Sequence, residues 1–249
     1  MTLRAKVRKG ILAYGIPIGI LALDDSYACI PGDVRNALTY DFPVLYRRVE
    51  GLDIVTATRR LADYPVDRVV EAAQALEREG VGAITAECGY LALYQREVAA
   101  AVSVPVFLSS LMQVPWVERM LGPHLTVGVC VAEAKFLTPN HLEAVGITKG
   151  MRVKIMGVED DGRAPAFEAV FYRGQDLDVA AAEADILRNV GEFVRRNPDL
   201  GALVLECSSY PPYARAIQRE FGLPVFDYYT LIRFVFEAVC HRSWENITA

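Results

Sequence analysis

Cys88 and Cys207 stand in matching contexts, 119 residues apart. The first closes the run Gly82-Ala83-Ile84-Thr85-Ala86-Glu87 and is followed by Gly89 and Tyr90. The second closes Gly201-Ala202-Leu203-Val204-Leu205-Glu206 and is followed by Ser208, Ser209, Tyr210 and Pro211. Seventeen residues past each cysteine the chain reads Pro-Val-Phe, at Pro105–Phe107 and at Pro224–Phe226. An internal repeat of this kind fixes the architecture before any local reading does. Two thiols on opposite walls of one cleft suit the removal of a proton from one face of a carbon and the return of a proton to the other. The thiolate is the reactive form, and a free cysteine has a pKa of ~8.5, so one thiol needs a lowered value. Backbone N–H groups of Gly89 and Tyr90 on one side, and of Ser208 and Ser209 on the other, could supply it if each cysteine precedes a helix. The same donors suit a substrate carboxylate. This chemistry demands no cofactor.

Each cysteine ends an apolar run of strand length, and in open α/β sheets ligands sit beyond the carboxyl ends of the strands. Ile16–Leu23 reads as a buried parallel strand ending in Asp24-Asp25-Ser26, followed by a polar loop through Pro31-Gly32-Asp33 and Asn36. Val44–Val49 and Ile54–Thr58 read as further strand. Asp67–Glu79 has helical spacing with Gly80 as a stop. Tyr90–Val102 reads as a helix and Val104–Leu108 as a strand ending in Ser109-Ser110. The second half repeats the opening at Leu125–Val131, with Gly128 in the place of Gly19. A helix over Thr138–Val145, a strand over Met151–Val158 and a turn at Asp160–Arg163 follow. Phe167–Gln175 is ambiguous. Val179–Asn197 is an amphipathic helix, and Leu231–His241 closes the chain. Strands alternating with helices point to α/β units with parallel sheets. The expected fold is two similar α/β lobes, residues 1–113 and 114–249, related by a pseudo-twofold axis with the site in the cleft between them. The terminal segment is free to pack back on the first lobe.

Of 249 residues, 53% are hydrophobic and 23% charged, enough for real cores. A net charge of −5 without basic clusters argues against nucleic acid. No run reaches the ~18–20 apolar residues that span a bilayer, so no membrane partner is expected. The basic stretch before Gly10 superficially resembles a signal peptide, but Gly15-Ile16-Pro17-Ile18-Gly19 and the lack of a small-residue cleavage pattern favour a first strand. Five cysteines without framework spacing fit a reducing, cytoplasmic compartment.

Bland readings compete at each position. Cys29, Cys130 and Cys240 lack the paired context and read as inert. Strand alternation turns Glu87 and Glu206 to the face opposite the cysteines, where a structural role is expected. Asp24 is balanced between substrate contact and a helix cap. Ser109, Ser110 and Tyr210 are pocket or turn residues, with Ser109 favoured for the pocket by its place at a strand end. His124, His141 and His241 have no ligand spacing, so no metal is expected. Tyr228-Tyr229 reads as core.

With those residues in view, the chain resembles the aspartate/glutamate racemase superfamily, which also holds hydantoin racemases, maleate isomerases and arylmalonate decarboxylases. The carriers are Glu87-Cys88-Gly89-Tyr90 and Glu206-Cys207-Ser208-Ser209-Tyr210-Pro211, with Val127-Gly128-Val129 and Leu137-Thr138-Pro139-Asn140-His141-Leu142. Leu23-Asp24, Pro31-Gly32-Asp33 and Asn36 look like a separate branch of these proteins. The resemblance implies racemisation without a cofactor by Cys88 and Cys207. It also implies a pocket that includes Asp24 and the polar residues after each cysteine, and a homodimer. Two departures matter. The glutamate racemase pattern Gly-Cys-Thr-His-Tyr-Pro has Ser209 where its histidine would stand, and Cys-Asn-Thr has become Cys88-Gly89-Tyr90. Glutamate is therefore a poor substrate candidate. The leading expectation is a racemase or epimerase acting next to the carboxylate of an amino acid or related small acid. The alternatives are a maleate-type isomerase or decarboxylase-like lyase on a dicarboxylate, and a small-acid binding protein without turnover.

Overall fold

The structure is a computed structural model that describes residue 10 and residues 13–241. The basic segment before Gly10, with its signal-like character, lies outside the described residues apart from Gly10 itself. Two four-stranded parallel sheets form the frame. β1 (Ile18–Ala22), β2 (Val44–Arg48), β3 (Ala83–Ala86) and β4 (Val106–Phe107) lie in the order β2-β1-β3-β4. β5 (Thr126–Val131), β6 (Val153–Gly157), β7 (Leu200–Leu205) and β8 (Val225–Phe226) repeat that order as β6-β5-β7-β8. The cysteine-bearing strands β3 and β7 thus occupy equivalent interior places, as the repeat in the sequence required. Continuous apolar runs make β1, β3 and β5 buried along their whole length, the pattern of parallel sheets covered on both faces.

Helices flank both sheets: α1 (Ile54–Arg59), α2 (Val66–Arg78), α3 (Gln95–Ala101), α4 (Val114–Met120), α5 (Pro139–Ala144), α6 (Pro165–Arg173), α7 (Val179–Arg196), α8 (Ala214–Phe221) and α9 (Tyr228–Val239). The expected equivalence of Gly19 and Gly128 is visible in the packing. A Cβ on Gly19 would stand 3.0 Å from Leu76 of α2, and one on Gly128 would stand 2.9 Å from Phe193 of α7. Each glycine lets the long helix of its half press onto the central strand.

Three expectations need correction. Ile54–Thr58 is not strand but the body of α1, because Asp53 accepts the Thr56 N–H at 2.6 Å and starts a helix over β-branched residues. The segment after Cys88 is a 3-10 helix, Gly89–Tyr94, before α3 begins. The closing helix starts earlier than Leu231, at Tyr228, where Asp227 and Thr230 form a capping box. The ambiguous Phe167–Gln175 segment resolves as α6, opened by Pro165 and closed by Gly174 at φ 62°.

α9 follows the second sheet in sequence and packs on the first. Tyr228, Leu231 and Ile232 join Ile18, Ile20, Ala83 and Phe107 in one core, and the Tyr228 hydroxyl donates to the Leu108 carbonyl at 2.7 Å. The halves are tied elsewhere by Ser110 Oγ donating to Leu205 O at 2.7 Å and by Gln113 Nε2 donating to Asp227 O at 2.8 Å. Among the described residues, no helix is long and apolar enough to cross a membrane.

Candidate active site

The tips of β3 and β7 meet at a small cavity of about 30 Å3. Cys88, Gly89 and Tyr90 line it from the first half, and Cys207, Ser208 and Ser209 from the second. Six of the nine residues singled out in the sequence are therefore brought together. Three are not. Asp24 accepts the Gly51 N–H at 2.8 Å and pairs with Arg48 at 3.3 Å, away from the cavity. It holds the loop after β2 and caps no helix. Ser109 is fully buried behind the wall, where its Oγ accepts the Leu111 N–H and caps a turn. Tyr210 is fully buried one layer back and donates its hydroxyl to Glu159 Oε1 at 2.7 Å.

The sequence reading turned Glu87 and Glu206 away from the cysteines, and the structure overturns it. Both glutamates line the same cavity. Regular strand ends at Ala86 and at Leu205, so the alternation that would separate neighbours does not extend to the tips. Glu159, just past the end of β6, makes a third carboxyl. The anticipated loop-binding role of Glu87 does exist alongside: its Oε1 accepts the Leu23 N–H at 2.6 Å and lies 3.7 Å from Arg35. One oxygen of each acid, Glu87 Oε2, Glu159 Oε2 and Glu206 Oε1, is buried without a hydrogen-bond partner.

Burial is the first cause of every shift here. It raises Glu206 to about 8, helped by the Glu159 carboxylate and opposed by a hydrogen bond from the Ala132 backbone. Glu159 rises to about 7 against the bond from Tyr210, and Glu87 to about 7 against the pull of Arg35. Burial, then Glu206, pushes Cys88 up, while backbone bonds from Tyr90 and Leu91 oppose the rise. Cys207 is pushed well up by burial and by Glu159 and Glu206. The site therefore raises both thiols instead of lowering one. The helix following each cysteine begins with a short 3-10 turn, and carboxylates face the sulfurs. Burial thus favours the neutral forms of both thiols and of the three acids.

Aromatic side chains from both halves roof the cavity. Tyr27, from the loop after β1, meets Phe171 of α6 edge-on at 5.0 Å. Tyr172 takes Arg59 over its ring at 4.3 Å, and Arg59 Nε donates to Glu133 Oε1 at 2.7 Å. Tyr90 crosses between the halves, donating its hydroxyl to Glu133 O and accepting Glu133 N–H. No basic side chain is among the described residues that line the cavity. Asp33, buried behind Ser209, is bonded to that hydroxyl and to the Arg35 N–H, and burial raises it to about 6. Ser209, which stands where glutamate racemases carry histidine, is thus tied to a carboxyl.

Sequence reasoning missed Tyr27, Thr58, Glu159, Phe171 and Tyr172, which also line the cavity. One signal was available. Glu87, Glu133, Glu159 and Glu206 each follow the carboxyl end of a strand, a ring of acids visible only once the strands are set side by side. The other cysteines stand apart: Cys130 is buried in β5, Cys240 is exposed, and Cys29 is raised to about 12. His141 is a buried cap partner of Thr138, lowered by burial to about 4. Among the described residues no His, Cys, Asp and Glu group could hold a metal ion.

No family model matches the chain. The dimethylsulfoniopropionate lyase of Durusdinium sp. clade D is 29% identical over 217 residues, 84% of this chain and 70% of that protein. Dimethylsulfoniopropionate lyase 7 of Emiliania huxleyi strain CCMP1516 is 30% identical over 248 residues, 92% of this chain and 72% of that protein. Lyase 5 of the same strain is 32% identical over 236 residues, and the chain spans 45% of its length. Among solved structures, the aspartate racemase of Picrophilus torridus superposes with a TM-score of 0.57 at 16% identity, covering 92% of this chain and 96% of that one. Unliganded arylmalonate decarboxylase superposes at 0.54 and 14% identity, covering 91% and 94%. The fold is that of the aspartate/glutamate racemase superfamily, and the chain belongs to the family of the dimethylsulfoniopropionate lyases.

Proposed function

We propose that the chain is a cofactor-independent lyase that breaks the carbon–sulfur bond of a small sulfonium carboxylate such as dimethylsulfoniopropionate. The observation that carries this reading is the cavity itself: two thiols and three buried carboxyls, with no basic residue in its wall. An acidic amino acid or a dicarboxylate would bring negative charge to this wall, whereas a sulfonium brings the positive charge it lacks. The names of the relatives point the same way.

The step needs one base. A cysteine thiolate takes the proton from the carbon next to the carboxylate, and that electron pair becomes the carbon–carbon double bond. The carbon–sulfur bond breaks, and dimethyl sulfide leaves with its electrons. Acrylate and a neutral thiol remain, and the thiol proton returns to solvent. Cys207 is the more open of the two thiols and is assigned as this base. Cys88 closes the facing wall. A cation within ~4–6 Å favours the charged form of a neighbouring acid, so the substrate itself lowers the thiol that burial raises. Thr58 and Ser208 are the neutral donors at hand for the carboxylate.

The cysteine pair with mirrored flanks also supports the racemase reading, since two opposed thiols are what two-base inversion uses. Incubating the protein in D2O with dimethylsulfoniopropionate, and separately with single-enantiomer amino acids, separates the two. Dimethyl sulfide release without exchange in the amino acids supports the lyase. α-Deuteration and inversion of an amino acid, with the sulfonium untouched, would replace it with the racemase.

A further inference from the structure

Three buried acids in one cavity are an expensive arrangement unless something resolves it. Leaving a buried polar atom unpaired is costly, and a native structure keeps such atoms where they serve a purpose. Glu206 and Glu87 are each 1% accessible with one oxygen unpartnered, but Glu87 has Arg35 at 3.7 Å to offset its charge. The seat of Glu206 is also built. A Cβ at position 89 would overlap the Glu206 carboxyl and lie 2.7 Å from the Glu206 backbone oxygen, so Gly89 is the space that this side chain occupies. The glycine after Cys88, one of the departures from the glutamate racemase pattern, therefore makes room for the glutamate before Cys207.

We propose that Glu206, seated against Gly89 and facing Glu159, is the seat for the onium head of the ligand, and that a sulfonium or quaternary ammonium ion entering the cavity displaces a proton from this pair. The inference rests on the cavity being the substrate site and names how that site recognises charge. Around Glu206 stand Glu159 past β6, Cys88 and Tyr90 past β3, Cys207 on its own strand and Tyr228 on α9. Burial pushes both thiols and both phenols up, and it brings Glu159 and Glu206, with Glu87 in the same cavity wall, into the range near neutrality. The nearby guanidiniums are engaged, Arg35 with Glu87 and Arg59 with Glu133. Phe171 and Tyr172 line the same space, and alkylated cations bind against aromatic faces.

Tetramethylammonium chloride, which has the cationic head and no carboxylate, is the probe. Calorimetric titration of the whole chain at several pH values, in buffers of different ionisation enthalpy, reads both affinity and proton release. The expected result is a Kd that tightens by up to about tenfold per pH unit below pH 8 and levels off above it, with about one proton released near pH 7. Glu206→Gln is expected to bind at least about tenfold more weakly at pH 8 and to lose most of the slope. Gly89→Ala, which crowds the carboxylate out of its seat, should weaken binding in the same sense. Proton release from the unaltered protein tests the idea even if a variant fails to fold. Binding that ignores pH, binding without proton release, an unchanged Glu206→Gln, or no binding at any pH would each overturn it. Lysis of dimethylsulfoniopropionate without proton release on tetramethylammonium binding keeps the lyase and removes this seat. Proton release without lysis keeps the seat and removes the lyase.

Discussion

At each cysteine-bearing tip a carboxyl and a thiol adjacent in sequence face one cavity, and burial moves both toward their neutral forms. That has a consequence for stability. A carboxyl raised in the folded state binds more protons folded than unfolded, so stability falls as pH climbs toward the folded value. Glu87, Glu159 and Glu206, at about 7, 7 and 8, act this way. His141, lowered to about 4, acts in the opposite sense below its ordinary value of 6.5 and contributes nothing to the slope above it. Between pH 6.5 and 8 the melting temperature of the ligand-free protein should therefore fall. Each acid contributes a slope of up to ~1.4 kcal/mol per pH unit below its own folded value. Glu206→Gln should flatten that fall, and thermal melting across the window checks it. The thiols were legible because their context repeats. The acids beside them were visible too, but period-two alternation sent them to the wrong face. That rule lapses where the strand ends.

Elements position these groups through their caps. α1 brings Ile54 and Thr58 to the cavity wall and Arg59 to the Glu133 and Tyr172 roof. Its start depends on Asp53, whose carboxylate accepts the Thr56 N–H. Asp53→Ala should cost ~1 kcal/mol of stability and lower turnover by loosening that wall, whereas Asp53→Asn should keep both nearly intact. Chemical denaturation and a turnover assay read the two effects. This helix was missed because Ile54-Val55-Thr56 has strand propensity, and a single cap outweighed it. α6 stayed ambiguous for a different reason: one face of it is aromatic because it roofs a cavity shared by both halves, a demand that no local window contains. By contrast α2 and α7 were plain, since long amphipathic helices carry their own periodicity.

Across the whole molecule, the two halves are similar in strand order but not independent. α9 supplies Tyr228, Leu231 and Ile232 to the core of the first half, over Ile18, Ile20, Ala83 and Phe107. A chain of residues 1–113 alone would leave that face uncovered, so it is expected to aggregate or stay unfolded, while the full chain unfolds in one transition. Circular dichroism on the fragment and the full chain decides this, and a folded, monomeric fragment would contradict it. Tyr228→Phe removes only the bond to Leu108 and should cost ~1 kcal/mol. The fold was legible in the Glu-Cys repeat and its spacing. The substrate reading was not, because it depends on the charge of a cavity wall assembled from five strand tips and loops.

The most direct measurement follows dimethylsulfoniopropionate by proton NMR in D2O with the unaltered protein, Cys207→Ala and Cys88→Ala. Dimethyl sulfide and acrylate should appear together with the unaltered protein. They should vanish in Cys207→Ala and form at least about tenfold more slowly in Cys88→Ala, a loss of ~1.4 kcal/mol or more of transition-state stabilisation. Undiminished lysis in Cys207→Ala, or no lysis by the unaltered protein with its thiols reduced, would contradict the account.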